Sequence, residues 1–236
     1  MSALSFSKVA IINRGEPAVR FLRALDEFNL IHNTNIKGVA LYTDPDEHMP
    51  FVRQADEAIP IGTILRPQPN GKIVNAYCDH QWMLDVLKRN GCDAVWPGWG
   101  FVSEDPLFVR LLEENNIVFL GPSSTAMGQL GDKIAAKHLA QTAEVPLAPW
   151  AEYQPTWTET ELIQTGDTIG YPLMVKASAG GGGRGIRKVN EASELAATIE
   201  IVQAEVEKFF GQGGILLERC VSKARHIEVQ LVCTPT

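Results

Sequence analysis

The residues with the clearest chemical potential form a glycine loop with positive charges around it. Four consecutive glycines, Gly180–Gly183, and a fifth, Gly185, follow Lys176 in the stretch KASAGGGGRGIRKV. Ordering a glycine costs more backbone entropy than ordering any other residue, so this composition indicates that a ligand must approach the backbone closely. Bare backbone N–H groups can surround phosphate oxygens, and a lysine at the preceding strand end can reach the same oxygens. The loop therefore predicts a flap that closes over a phosphate ligand.

Two common phosphate-binding motifs do not explain this loop. Gly180-x-Gly182-x-x-Gly185 matches the dinucleotide fingerprint, but that motif must open a helix, whereas Ile186–Val189 has the composition of a strand. The Gly-Lys-Ser or Gly-Lys-Thr ending of a P-loop does not occur in the sequence. A surface hairpin without a ligand is the remaining alternative, and the position of Lys176 favours the phosphate interpretation.

Composition limits the class of protein. The chain has 236 residues, enough for one large domain or two smaller ones, with 45% apolar and 21% charged residues. A net charge of −7 argues against a general nucleic-acid binder. We expect no membrane segment, because no apolar run approaches ~20 residues, and no signal peptide. The four cysteines are scattered without a C-x-x-C pair, which indicates neither a zinc site nor a disulfide framework and favours a cytoplasmic protein.

The first half of the chain predicts an α/β domain with a parallel sheet. The apolar run Val9–Ile12 indicates a buried strand, and a helical spacing of apolar residues begins near Pro17, a residue favoured in a first helical turn. A second apolar run, KGVALYTD, completes a βαβ unit whose carboxyl edge we expect to form a ligand crevice. The same alternation predicts a helix at 76–90, a strand at 91–98, a helix at 103–116, a strand at 117–123 and a helix at 131–143.

The second half has a different pattern. The proline-rich stretch 144–159 indicates a connection between domains. Beyond it the patterns predict strands at 171–178 and 185–190, a helix at 191–210, and strands at 213–221 and 224–232. The last of these alternates polar and apolar residues, and little sequence follows it to complete a sheet. We therefore expect the chain to be a fragment of a larger protein.

Five ordered motifs resemble the biotin carboxylase family. They are VAIINRGEPAVRFLRA, WPGWGFVSEDP, FLGPSSTAMGQLGDK, GYPLMVKASAGGGGRGIRKV and RHIEVQLV, and the match covers essentially the whole chain from Lys8 to Leu231. The resemblance implies an α/β fold: a Rossmann-like N-terminal domain at 1–148, an ATP-grasp lid at 149–215, and the start of a truncated central ATP-grasp domain at 216–236.

The resemblance also implies an enzyme, an ATP-dependent ligase. Members of the family use MgATP to activate bicarbonate as carboxyphosphate and then carboxylate biotin on a carrier domain, which a carboxyltransferase domain or subunit discharges. The forms VWPGWG and GDKIAAKHLAQTAEVPLAPW are similar to acetyl-CoA carboxylases, which implies a role in fatty acid biosynthesis, and a homo-oligomeric parent is expected. The catalytic residues and magnesium ligands are expected after Thr236, so this chain alone is expected to be inactive.

Site residues carried over from the resemblance all concern the nucleotide. Lys133 and Lys176 are expected to contact ATP phosphates, and His226 to lie near the ribose and phosphates, with Glu228 in the same motif. The flap would consist of Gly180, Gly181, Gly182, Gly183 and Gly185, and the adenine hinge of Glu218, Arg219 and Val221. Taken singly, these charged residues are more often solvated or structural, except Lys176 beside the flap.

Two other functions stay open at this point. One is another ATP-grasp ligase of the carbamoyl-phosphate synthetase type, which shares the glycine flap. The other is a protein that binds a nucleotide or a partner without chemistry. The final carboxyl acceptor is also open, because acetyl-CoA, propionyl-CoA, a longer acyl-CoA and pyruvate are each compatible with the sequence.

Overall fold

The computed structural model describes residues 6–68, 70–178, 185–209 and 213–232. The chain divides into two compact units, a first unit Met1–Gly128 and a second unit Gln129–Thr236. The domain limits expected at residues 148 and 215 stay predictions. Of the glycines expected to form the flap, Gly180, Gly181, Gly182 and Gly183 lie outside the described residues.

The first unit is built on a five-stranded parallel sheet of order β3-β2-β1-β6-β7, with a separate antiparallel hairpin of β4 and β5. Its strands are β1 Lys8–Ile11, β2 Lys37–Thr43, β3 Glu57–Gly62, β4 Leu65–Pro67, β5 Ile73–Asn75, β6 Ala94–Trp96 and β7 Val118–Phe119. Strand β1 lies between β2 and β6, so the chain order reverses beside it. The parallel sheet predicted from the βαβ pattern is confirmed.

Helices cover both faces of this sheet. They are α1 Gly15–His32, α2 Pro50–Gln54, α3 His80–Arg89 and α4 Pro106–Glu114, with 3₁₀ turns at Asp44–Asp46 and Ala76–Cys78. A further helix, α5 Ser124–Gly131, extends past Gly128, the last residue of this unit. Alternate residues of the chain at β1 enter different apolar clusters: Ala10 and Ile12 join one, and Ile11 joins another with Leu22 of α1. Burial on both faces is the reason that β1 is an unbroken apolar run.

The second unit contains a four-stranded sheet of order β10-β9-β11-β8, and all three pairings are antiparallel. Its strands are β8 Trp150–Glu152, β9 Leu173–Ala177, β10 Ile186–Val189 and β11 Ile215–Arg219, and its helices are α6 Lys133–Thr142, α7 Glu159–Ile169 and α8 Leu195–Phe209, with a 3₁₀ turn at Ala192–Glu194. One face of the sheet packs with α7 and α8 around Val175, Leu217 and Leu195, which are fully buried. Within the described parts of both units, no helix has the length and apolar content needed to cross a bilayer.

Two predicted elements differ from the structure. The proline-rich stretch 144–159 is not only a connection, because it contains β8, which pairs with β11. The strand predicted at 224–232 is wrong: these residues form no helix or strand, and Ile227, Val229 and Leu231 are exposed. A strand requires a neighbour to accept its backbone hydrogen bonds, and none of the described strands pairs with this segment.

Candidate functional site

Strand alternation in the second unit separates core residues from charged ones. In β9, Leu173, Val175 and Ala177 point into the core shared with α7 and α8, so Lys176 lies on the opposite face. Residue Leu216 of β11 pairs with Lys176, which places Glu218 two residues further along the same face. Neighbouring side chains on one face of an antiparallel pair are within reach of each other. The sheet therefore brings two residues that are 42 positions apart in the sequence to one place.

A third residue, Lys137 of α6, completes this group, which we call the lysine–glutamate cluster. Its Nζ lies 2.5 Å from Oε1 of Glu218, while Nζ of Lys176 lies 2.5 Å from Oε2. The exposed fractions of the side chains are 13% for Lys137, 17% for Glu218 and 25% for Lys176. Two ammonium groups thus share one carboxylate at a mostly buried position, and one positive charge is left in excess.

The cluster keeps Glu218 ionised. Burial alone would raise the pKa of its carboxyl group, because low polarity disfavours charge. The hydrogen bonds from Lys137 and Lys176, together with their charges, outweigh burial and lower the pKa of Glu218 below its ordinary value. A carboxylate that stays charged near neutral pH can accept hydrogen bonds from both lysines.

The start of α6 places Lys133 beside the end of β9. Asp132 caps the helix by accepting hydrogen bonds from the backbone of Ile134 and Ala135 at 3.0 and 2.9 Å. Lys133 is the first helical residue, and both its backbone N–H and its Nζ donate to the carbonyl of Ser178 at 3.3 Å. The buried Ser178 is tied in turn to Gly214 through its backbone and hydroxyl. Both lysines expected to contact phosphate therefore belong to one region of the second unit.

The described end of the glycine loop is anchored to α8. Gly185 has a φ of +66°, and its carbonyl accepts a hydrogen bond from the backbone of Ala177 at 2.7 Å. Its N–H donates to Oε2 of Glu205 at 3.2 Å, and Oε1 of the same carboxylate pairs with Arg187. Since Ile186 pairs with Lys176 across β10 and β9, this end of the loop lies next to the lysine–glutamate cluster.

Other expected site residues lie elsewhere. The Arg219 side chain is on the helix-covered face and donates to the carbonyl of Ile169 at 3.1 Å, which leaves only its backbone for a ligand on the cluster face. Val221 is 67% exposed. His226 and Glu228 pair with each other at 2.9 Å in the exposed segment after β11, and their contacts among the described residues do not reach the lysines.

The carboxyl edge of the parallel sheet in the first unit is closed by its own residues. Asn13, only 3% exposed, follows β1 and donates to the carbonyls of Pro97 and Trp99 at 2.7 and 2.9 Å. Its Oδ1 accepts from the backbone of Arg14 at 2.8 Å. A Cβ at Gly98, which has a φ of +62°, would lie 2.6 Å from Nδ2 of Asn13, so this turn needs glycine. At the carboxyl edge, where a ligand crevice was expected, this amide therefore joins the ends of β1 and β6.

Other polar and aromatic residues of this edge also have internal partners. Arg14 pairs with the buried Asp46 at 2.6 Å, and Thr43 donates to the same carboxylate at 3.0 Å. Trp96 stacks on Phe21 with ring centroids 4.5 Å apart, whereas Trp99 is 73% exposed. The turn after β1 is thus held by structural contacts, and Trp99 is the tryptophan that does not pack there.

Two residues of the site were not predicted from the sequence. Lys137 lies within the predicted helix at 131–143, and its spacing of four from Lys133 was the available signal. Like charges at this spacing repel one another on a helix, so they indicate a nearby anion. Glu205 gave no comparable signal, because an isolated glutamate on an amphipathic helix is ordinarily solvated.

Comparison with known protein families agrees with this division of the chain. Residues 5–127 match the family described as "Biotin carboxylase, N-terminal domain". Residues 132–234 match "Carbamoyl-phosphate synthase L chain, ATP binding domain". The chain therefore belongs to the biotin carboxylase family, and the resemblance noted in the five motifs is confirmed.

Relatives with names and solved structures support the same placement. The chain is 38% identical over 232 residues to pyruvate carboxylase of Bacillus subtilis, covering 98% of the chain and 19% of that protein. It is 39% identical over 226 residues to biotin carboxylase of Halalkalibacterium halodurans, covering 96% of the chain and 47% of that protein. The biotin carboxylase domain dimer of Hydrogenobacter thermophilus 2-oxoglutarate carboxylase, solved with MgADP, ADP and bicarbonate, superposes with a TM-score of 0.77 at 35% identity, covering 92% of the chain and 45% of that domain chain. The chain thus spans less than half the length of these proteins.

Proposed function

We propose that the protein carrying this chain is an ATP-dependent biotin carboxylase that carboxylates biotin with bicarbonate. The observation that carries the proposal is the lysine–glutamate cluster beside the anchored end of the glycine loop. Its excess positive charge, with Lys133 at the start of α6, forms a cationic region suited to a polyphosphate. The MgADP and bicarbonate held by the related 2-oxoglutarate carboxylase domain support this reading.

In this proposal, Lys133 and Lys176 hold the phosphates of ATP. Gly180, Gly181, Gly182 and Gly183, which lie outside the described residues, form the closing flap with Gly185.

In the same proposal, the adenine hinge consists of Glu218, Arg219 and Val221. Arg219 contributes through its backbone, because its side chain donates to the carbonyl of Ile169. His226 and Glu228 join the nucleotide site only if the exposed segment that carries them moves from its described position.

ATP would supply the phosphoryl group that activates bicarbonate. The groups of this chain would contribute charge neutralisation at the phosphates, in-line positioning and exclusion of water from a labile anhydride. The described residues fit the nucleotide because they offer cationic donors beside a backbone loop. The part of the chain that the structure describes contains no group of three or more His, Cys, Asp or Glu side chains that could hold a metal. In this proposal the magnesium ligands lie after Thr236, as the resemblance to the family implies.

The partners in this proposal are a biotin carrier domain and a carboxyltransferase domain or subunit, in a homo-oligomeric, cytoplasmic enzyme. Acetyl-CoA is the proposed acceptor, on the similarity of VWPGWG and of residues 131–150 to acetyl-CoA carboxylases. The name of the Bacillus subtilis relative makes pyruvate the competing acceptor. Free thiols at Cys78, Cys92 and Cys220 are compatible with a reducing compartment.

The experiment that tests the proposal uses the full-length protein that carries this sequence. ADP release is measured with and without bicarbonate and biotin, and then with acetyl-CoA or pyruvate as acceptor. We expect bicarbonate-dependent ADP release, and we expect Lys176→Ala to lower kcat/KM for MgATP by about a hundredfold because a charged donor at the phosphates is lost.

The matched control is Lys88→Met, which changes an exposed lysine of α3 in the first unit and is expected to have no effect. A streptavidin blot of the same preparation reports whether the biotin carrier is on the same polypeptide. Wild-type kinetics in Lys176→Ala would contradict the phosphate role. ATP binding without any bicarbonate-dependent turnover in the full-length protein would favour a non-catalytic nucleotide-binding protein.

A further inference from the structure

Helix α6 carries two lysines one turn apart on the side that meets the sheet. Lys133 and Lys137 have the spacing at which like charges repel each other on a helix, and both side chains are partly buried. The repulsion is offset at Lys137 by Glu218, since the two form an ion pair at 2.5 Å. Lys137 is therefore a mostly buried lysine that is held by a residue of the proposed nucleotide site.

The two lysines that share Glu218 differ in burial and in their other contacts. Lys137 is the less exposed of the two, at 13% against 25% for Lys176. Its Nζ also lies over the ring of Trp150, 5.5 Å from the ring centroid, which adds a cation–π attraction. Lys176 instead lies beside β10, which carries the anchored end of the glycine loop. Lys176 is thus the lysine placed to change partners.

We propose that Lys137 is a positioning residue that neutralises Glu218 and thereby frees Lys176 for a nucleotide phosphate; this inference rests on the proposed function. With two lysines on one carboxylate, Lys176 can leave Glu218 without stranding a buried anion. If Glu218 had only Lys176, each phosphate contact would have to compete with that ion pair. Lys137 therefore tunes affinity for MgATP through Glu218 and does not touch the phosphates itself.

The test is a set of variants in the full-length protein: Lys137→Met, Lys137→Arg, Glu218→Gln, and Lys137→Met combined with Glu218→Gln. Lys137→Met is expected to raise KM for MgATP about tenfold with little change in kcat, because Lys176 is then retained by Glu218. Lys137→Arg keeps the charge and is expected to stay near the wild type. In the double variant no carboxylate holds Lys176 back from the phosphate. KM for MgATP is therefore expected to return to within about threefold of the KM of Glu218→Gln alone.

The recovery of KM in the double variant distinguishes this role from a merely structural one. A structural role predicts that the effects of the two single changes on KM add. Additive losses, or an unchanged KM in Lys137→Met, would overturn the proposal. Thermal unfolding of each variant is recorded, and Lys137→Gln replaces Lys137→Met if the latter does not fold. Lys88→Met is the control for loss of an exposed lysine. If Lys176→Ala has no effect either, the proposed function has failed; if Lys176→Ala is impaired and Lys137→Met is normal, only this inference has failed.

Discussion

The two units contain polar clusters of opposite design. In the first unit, Asn13 lies at the strand ends of a parallel sheet, and its amide is fully used on Pro97, Trp99 and Arg14. In the second unit, Lys137 and Lys176 share Glu218, which leaves a positive charge without an equal counter-ion in the cluster. The first cluster is satisfied by the protein alone, whereas the second is suited to an added anion.

This difference is informative because both clusters lie in motifs that resemble one family. Position at the carboxyl edge of a parallel sheet commonly marks a ligand site, yet that edge is closed here by Asn13 and the Gly98 turn. The antiparallel sheet has no such positional rule, and its cluster is proposed as a ligand site because its charge is unbalanced. Charge balance therefore distinguishes the two clusters in this chain, whereas position in the fold does not.

The largest effect is expected from Asn13→Ala in the first unit. The change leaves the buried carbonyl of Pro97 and the part-buried carbonyl of Trp99 and N–H of Arg14 without their partner, so the free energy of unfolding is expected to fall by about 3 kcal/mol. Urea denaturation measures this loss, with Asn190→Ala, at an exposed asparagine of the second unit, as the control. KM for MgATP is expected to stay unchanged under conditions where the variant is folded; a raised KM would mean that the two clusters do not differ in role.

A smaller, pH-dependent effect is expected from Glu218→Gln. Because the pKa of Glu218 is lower in the fold than its ordinary 4.5, its ionised form favours folding. That contribution is present above about pH 4.5 and is lost as the pH falls through the lowered pKa. On acidification, the free energy of unfolding is therefore expected to fall more for the wild type than for Glu218→Gln. The control is Glu200→Gln, at an exposed glutamate of α8, and parallel acid profiles for wild type and Glu218→Gln would contradict the prediction.

The smallest effect is expected from Glu205→Ala, which removes the anchor of the glycine loop. The ion pair with Arg187 is partly exposed, so its loss is expected to cost only about 0.5 kcal/mol of stability. Locally, the amide of Gly185 loses its acceptor, and its hydrogen exchange is expected to speed up about fivefold. Glu207→Ala, two residues along α8 and exposed, is the control. Equal exchange rates at Gly185 in both variants would show that Glu205 does not hold the loop.

Much of the fold could be predicted from sequence where one local signal dominates. The run at Val9–Ile12 and the helical spacing after Pro17 correspond to β1 and α1, because burial on both faces demands uninterrupted apolar residues. Strand β8 was missed since it has three residues between prolines, at Pro149 and Pro155, which indicate a loop. The strand predicted at 224–232 had the right alternation but no described partner.

The candidate site could be predicted only in part. Lys176 was predicted from its place beside the glycine loop and Lys133 only from the family resemblance, and both lie in the region of the cluster. Arg219 belongs to the same motif as Glu218, but strand alternation turns its side chain to the opposite face. Lys137 and Glu205 were missed because their partners are supplied by distant segments, and a contact of that kind leaves no local pattern.

The contact between Lys137 and Glu218 joins positions that are 81 residues apart in the chain. Loss of Glu218 alone leaves two mostly buried ammonium groups without the anion that they share, and loss of Lys137 alone leaves Glu218 paired only with Lys176. A lineage that leaves this arrangement must cross a less favourable single mutant, so we expect the two positions to change together among descendants of this sequence. Surface loops between them can vary in length far more freely, because loop closure depends only weakly on length.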